Sequence, residues 1–235
     1  MKKAVIVIPC YNEEEILESN IKKLHSYCSK NLKKFKWEIM ISDNNSEDST
    51  LKIAKKLSAK LSHVSYYHMD DKPRSKAIKK IWLEKDADIY SYMDADLSTD
   101  ISHLKELLDS VSKGYDIVIG SRTQPKRTFF RKIMSKSLIL LIKTIYSIEI
   151  KDFQCGFKAI SRKVRDTILA KMKSVDVGFM DTELILVASQ KTFKIKEIPV
   201  RWEDLRTSKS PIVKGVFDAL FNLFRIKYRL IRNYY

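Results

Sequence analysis

The chain has 235 residues, 44% hydrophobic and 31% charged, which suits one α/β domain or one domain with a short appendage. Its 45 lysines and arginines against 29 acids give a net charge of +16, a field that favours polyanions such as nucleic acid, anionic lipid or phosphorylated substrates, although solvated lysine faces account for bulk charge equally well. The composition excludes a low-complexity or fixed-period repeat chain, and no apolar run reaches the roughly 18 residues of a membrane-spanning helix.

The apolar, β-branched run 4–8 predicts a buried parallel strand ended by Pro9. Its lysine-led start is too short a run for a secretory signal. A helix is expected over 13–29, with Ile16, Leu17, Ile21 and Leu24 on one face and Glu13, Glu14 and Glu15 in its first turn. Residues 37–41 predict a strand closed by Ser42 and Asp43. Ser46 then suits the cap of a helix to residue 61, with Leu51, Ile53, Ala54 and Leu57 inward. Strand 64–67, helix 74–84, strand 89–93, helix 103–112 and strand 115–119 follow, with Gly114 as a helix stop. This alternation implies a mostly parallel sheet with helices on both faces, whose ligands bind outside the carboxyl ends of the strands.

The second half is less regular. An apolar helix interrupted by lysines is expected over 131–148, a short strand over 156–160, a helix capped by Ser161 to residue 172, and a helix over 180–189. A strand over 193–202 contains Pro199, which suggests an edge or a bend. Residues 213–235 predict a basic amphipathic helix, with Val213, Val216, Phe217, Leu220, Phe221, Phe224, Tyr228 and Ile231 as its apolar side. Cys10, Cys28 and Cys155 are odd in number and lack ligand spacing, as expected of free thiols in a reducing compartment; His25, His63, His68 and His103 form no metal pattern.

Asp94-Ala95-Asp96 follows the strand 89–93. Two carboxylates one residue apart at a strand end are costly unless neutralised. Mg²⁺ or Mn²⁺ is the natural partner, because such ions take oxygen ligands and retain waters and substrate phosphates. Asp-x-Asp alone is equally a polar turn, and only its place at the strand end gives it weight. After the first strand, Tyr11 suits stacking on a nucleobase and Glu13 a base or ribose contact; Asp43, or simply an Asx turn, ends the second. Arg122, Arg131, Lys132, Arg206 and Lys209 are cations that suit phosphates if they converge on the Asp pair.

The stretches VIPCYNEEE, ISDNNSEDST, YMDADLST, IVIGSR, FRKIMSK, DFQCGFKAISR, FMDTELILVA and EIPVRW…RTSKS run in order from Val7 to Ser210. In them the chain resembles family 2 glycosyltransferases with the GT-A fold, of the dolichyl-phosphate sugar synthase type. The last four stretches are closer to the glucosyltransferases than to the mannosyltransferases. The resemblance implies inverting transfer of a hexose from UDP-glucose or GDP-mannose to a polyprenyl phosphate, with Mg²⁺ or Mn²⁺, by a peripheral protein on the cytoplasmic side of a membrane. No nucleic-acid partner is expected. It implies that Pro9, Tyr11, Glu13 and Asp43 hold the nucleoside and that Asp94 and Asp96 hold metal and diphosphate. Arg122, Arg131 and Ser135 match positions near the diphosphate and acceptor phosphate, and Arg206, Ser208 and Lys209 match a lid loop. The catalytic domain would span 1–210, with a nucleotide half 1–120 and an acceptor half 121–210, and 211–235 would be a membrane-associating helix.

The chain departs from the pattern in places. A glycine-rich G-K-G segment reads Pro73-Arg74-Ser75, with Arg74 in place of the lysine. Ser98 stands where mannosyltransferase relatives often carry a glutamine ligand, and the lid motif is shortened. Other readings remain. A hydroxyl acceptor on a glycolipid or polysaccharide would need a base, for which Asp181 and Glu183 are the candidates. A non-catalytic basic module explains the charge but not the acids at a buried strand end. A dinucleotide fold or a P-loop lacks its glycine motif here.

Overall fold

The computed structural model describes residues 1–123, 129–172, 179–203 and 212–235, and only the backbone of 129–136 and 212–217. The first half alternates β1 (Lys2–Cys10), α1 (Leu17–Asn31), β2 (Phe35–Asn44), α2 (Thr50–Lys60), β3 (Val64–Met69), α3 (Arg74–Glu84), β4 (Ile89–Met93), α4 (Leu104–Ser112) and β5 (Ile117–Arg122). The second half holds α5 (Phe129–Tyr146), β6 (Phe157–Ser161), α6 (Arg162–Thr167), α7 (Met180–Gln190), β7 (Ile195–Val200) and α8 (Ile212–Ile231). The strands form one seven-stranded sheet in the order β3-β2-β1-β4-β6-β5-β7. All pairings are parallel except those of β6, which runs antiparallel to both β4 and β5.

Strands buried on both faces explain the continuous apolar runs. Ala4, Ile6 and Ile8 share a core with Ile21 and Leu24 of α1, Leu57 of α2 and Leu107 of α4. Val5 and Val7 face the other way, into a core with Ile78 and Trp82 of α3 and Leu184 to Ala188 of α7. Each aliphatic side chain so buried contributes about 1.5–3 kcal/mol over leaving it exposed. Every residue of α7 from Met180 to Ala188 is buried, as befits a helix enclosed on all sides.

Several expectations need correction. β1 continues through Pro9 to Cys10. β4 pairs only with Ala4–Val7, so one flank of β1 is open beyond Val7 and the missing proline N–H interrupts no ladder on that side. α1 starts at Leu17, not Glu13; the N–H groups of Glu13 and Glu14 donate to Thr50 Oγ1 (2.7 Å) and Asp48 Oδ2 (3.2 Å), and the glutamates lie in a turn before the helix. Ser46 caps no helix; its hydroxyl accepts from the Asn12 N–H at 3.0 Å. Ser161 does cap, accepting from the Val164 N–H, but α6 is short and passes into a 3₁₀ turn at Leu169–Lys171. Pro199 lies on β7, the edge strand of the sheet.

In α8 the side chains of Val213, Val216 and Phe217, part of the expected apolar side, lie outside the described residues. Its core face is Ala219, Leu223 and Ile226, whereas Phe221, Phe224, Tyr228 and Ile231, expected as the apolar side, are 70%, 64%, 59% and 71% exposed. No helix among the described residues is long and apolar enough to cross a membrane.

Candidate active site

At the carboxyl ends of β1, β2 and β4 the sheet opens into a cleft. Of the sequence candidates, Pro9, Tyr11, Glu13, Arg74, Asp94 and Asp96 line it together; Cys10, Asn44 and Lys72 also reach it. The strand order accounts for this, since β1 and β4 are neighbours and their C-terminal residues leave the sheet side by side.

The loop after β1 is tied to the loop after β2. Asn12 takes the left-handed conformation (φ 55°), which asparagine tolerates, and its side chain accepts from the Glu47 N–H at 2.8 Å. Tyr11 is thereby held at the rim, where Lys72 donates to its hydroxyl (2.8 Å) and pairs with Glu47 at 2.7 Å. Sequence reasoning passed over Lys72, although it adjoins the Pro73-Arg74 departure.

Asp94 follows β4 directly. Its N–H donates to the Gly156 carbonyl and its carbonyl accepts from Leu97, which sits at φ 52°, a strained value for leucine that closes the turn around Asp96. Asp96 Oδ1 accepts from the Ser98 N–H at 3.0 Å. Arg74, the first residue of α3, donates to Asp94 Oδ1 at 2.9 Å with its guanidinium over the Tyr92 ring. Burial pushes the Asp94 carboxyl above its ordinary range, with Arg74 opposing the shift.

Gly156 backs this carboxylate. A Cβ placed there would lie 1.9 Å from Asp94 Oδ2 and 2.6 Å from Oδ1, so only glycine leaves the carboxylate its place. Among the described residues no group of three or more His, Cys, Asp and Glu converges. Two adjacent carboxylates facing a cleft with cations nearby fit a hard divalent ion that takes its other ligands from water and phosphate, as Mg²⁺ does.

A buried network lies behind Asp94. Tyr92 donates to Asp181 Oδ2 at 2.6 Å; burial first, then Asp181, pushes the phenol well above its usual range, so it remains a donor. Lys158, 1% exposed, lies 3.6 Å from Asp181 and donates to the Cys155 carbonyl. Asp181 Oδ1 is buried without a hydrogen-bond partner among the described residues. Glu183 points elsewhere, to Arg225, Arg229 and the Tyr235 hydroxyl, which join α7 to α8.

The other candidates are placed differently. Asp43 is fully buried at the end of β2 and accepts from His68 Nδ1 at 2.6 Å, with Oδ1 lacking a hydrogen bond among the described residues. Arg122 is engaged by Asp152 through Nε (2.6 Å) and Nη2 (2.8 Å) and stacks against Trp202. Burial raises the Asp152 carboxyl, but the Arg122 hydrogen bonds outweigh that and hold it below its ordinary range. Arg131 and Ser135 lie on α5, and their side chains are outside the described residues, as are Arg206, Ser208 and Lys209 altogether. Asp152, Gly156 and Lys158 were missed as individuals, although all three belong to the DFQCGFK stretch.

The model of the family described as glycosyl transferase family 2 matches residues 5–169. The chain belongs to this family. This family 2 chain is 29% identical over 231 residues to glycosyltransferase AglD of Haloferax volcanii, covering 96% of the chain but 37% of that relative's length. It is 29% identical to the dolichyl-phosphate beta-glucosyltransferase ALG5D of Trichomonas vaginalis, covering 95% of the chain and 73% of the relative. It is also 29% identical to the dolichol-phosphate mannosyltransferase of Pyrococcus furiosus, covering 95% and 63%. The crystal structure of glucosyl-3-phosphoglycerate synthase from Mycobacterium tuberculosis in complex with UDP superposes with a TM-score of 0.69 at 15% identity, over 94% of this chain and 79% of that one. The fold is therefore GT-A, as the sequence led one to expect.

Proposed function

We propose that the protein is an inverting hexosyltransferase, taking its sugar from UDP-glucose or GDP-mannose and passing it to a polyprenyl phosphate at the cytoplasmic face of a membrane. The observation that carries this reading is the convergence of Tyr11, Arg74, Asp94 and Asp96 in one cleft at the ends of parallel strands. Relatives named for dolichyl-phosphate transfer support the acceptor class, and a related fold solved with Mn²⁺, UDP-glucose and phosphoglyceric acid supports a nucleotide-sugar donor and a divalent ion.

Tyr11 offers a ring face for the base and Glu13 a carboxylate for base or ribose. Asp94 and Asp96 would hold Mg²⁺ or Mn²⁺, which supplies charge neutralisation for the departing diphosphate. Arg74 and Lys72 add donors on the same side. A lipid phosphate has a second pKa of about 6, so it is largely dianionic near neutrality and needs no strong base. Its oxygen forms a bond to the anomeric carbon as the bond from that carbon to the diphosphate oxygen breaks. The nucleoside diphosphate leaves with the electron pair, no proton need move, and the anomeric carbon inverts. The enzyme's task is alignment and charge stabilisation. In this reading Arg131, Ser135, Arg206, Ser208 and Lys209 serve the acceptor phosphate and a lid, Asp43 serves the nucleoside, and Arg122, oriented by Asp152, serves the phosphates.

The membrane part of the proposal rests on α8. Phe221, Phe224, Tyr228 and Ile231 repeat at helical spacing on an exposed stripe, and Leu140 of α5 is 65% exposed. Lys227 and Arg232 are basic neighbours suited to anionic headgroups. We take residues 1–210 as the catalytic domain and 211–235 as the membrane-associating helix.

A second reading, transfer to a hydroxyl, is favoured by one observation: Asp181 Oδ1 is buried with no hydrogen-bond partner among the described residues. Transfer assays with polyprenyl phosphate and with a hydroxyl acceptor separate the two. Asp181→Asn is expected to abolish only the latter if Asp181 is its base, a loss of about 10²–10⁴.

A further inference from the structure

Arg74 and a divalent cation have the same target. The guanidinium holds Asp94 Oδ1 at 2.9 Å, and the carboxylate occupies the space that the absent Cβ of Gly156 leaves, with Oδ2 nearest to that position. An ion shared by Asp94 and Asp96 comes within reach of the guanidinium, where two positive charges on one carboxylate oppose each other. The Arg74 side chain is 44% exposed, and its guanidinium lies 6.0 Å from the centroid of the Tyr92 ring, so the cleft is open to it on the side away from Asp94. In the same cleft a diphosphate is the other anion that a guanidinium suits, in bidentate fashion.

We propose that Arg74 is an exchangeable counter-cation: it neutralises Asp94 until a divalent ion takes that carboxylate, and then transfers its contact to the donor diphosphate. This rests on the reading of the cleft as a nucleotide-sugar site. The consequence is thermodynamic. The ion must displace Arg74 from Asp94, which weakens ion binding on its own. A diphosphate gives the displaced arginine a partner, so ion and nucleotide bind with positive coupling, each strengthening the other by the same factor. Asp94 is kept neutralised between turnovers, which offsets the cost of a buried carboxylate.

The test is Mn²⁺ binding to the full chain, with and without saturating UDP, followed by electron paramagnetic resonance of free Mn²⁺, for the unaltered protein, Arg74→Met and Arg74→Lys. Arg74→Met should bind Mn²⁺ without nucleotide about fivefold or more tightly than the unaltered protein, bind UDP more weakly, and lose most of the coupling between them. Arg74→Lys, which keeps the charge, should retain much of the coupling. If Arg74→Met binds Mn²⁺ alone no better, and merely loses UDP affinity, Arg74 is a simple phosphate ligand and the exchange is wrong. Binding of neither Mn²⁺ nor UDP by the unaltered protein would instead remove the donor-site reading itself, and the exchange with it. Thermal melts of both variants identify any loss of fold.

Discussion

The closest fit in the site is between Gly156 and the Asp94 carboxylate, and it admits a test of a single methyl group. Gly156→Ala sets a Cβ at 1.9 Å from Asp94 Oδ2, against a carboxylate tied to Arg74 rather than a freely moving chain end. Transfer and Mn²⁺ affinity should both fall, by at least about 10²-fold in kcat/KM if the carboxylate is displaced by an ångström, while circular dichroism shows the fold retained. Asp94 also gives a prediction with pH. Burial raises its folded pKa, so the unfolded state ionises first and stability is lost as pH rises through the window from the ordinary carboxylate value to the raised one. With a chelator present, Asp94→Asn should raise Tm at pH 7 and raise it less near pH 3, where both states hold the proton; an equal change at the two pH values would contradict the assignment. At this scale the sequence was informative where a residue type is unusual in its place, as with acids after a buried strand. It was silent where the partner is remote: nothing near Arg122 points to Asp152, and nothing near Tyr92 points to Asp181, because those pairs are made by chain folding across the sheet.

Among the elements, α3 and β4 coincide with their expected bounds, since each has one dominant period and clear end signals in Pro73 and Asp94. The direction of β6 was not legible, because a period of two is the same for parallel and antiparallel strands. α8 shows the limit of an apolar stripe: the helix has two apolar sides, and periodicity does not say which meets the core. The exposed one allows a clean separation of roles. Replacing Phe221, Phe224, Tyr228 and Ile231 together by serine should leave stability within about 1–2 kcal/mol, as for surface sites of about ±0.5 kcal/mol each, because none of them is buried. Flotation with anionic phospholipid vesicles should be lost. Flotation equal to that of the unaltered protein would remove the membrane role of this stripe.

For the whole molecule, the alternation of strands and helices through residue 120 was enough to imply the parallel sheet and to direct attention to its carboxyl edge, which is where the cleft lies. The insertion of β6 between β4 and β5 is what brings the DFQCG stretch behind the Asp pair, and that long-range consequence follows from topology rather than from local pattern. The net charge of +16 is compatible with the proposed anionic donor, acceptor and surface, but it specifies none of them. The most direct test of the account is transfer of labelled sugar from UDP-glucose and from GDP-mannose, with Mn²⁺ or Mg²⁺, to a short polyprenyl phosphate and to the corresponding polyprenol, with Asp96→Asn as control. A metal-dependent, inverted glycosyl phosphate is expected from one of the two donors, absent with the alcohol and with the variant; product on the alcohol alone, or no product on the phosphate despite metal-dependent nucleotide-sugar binding, would contradict the proposed function.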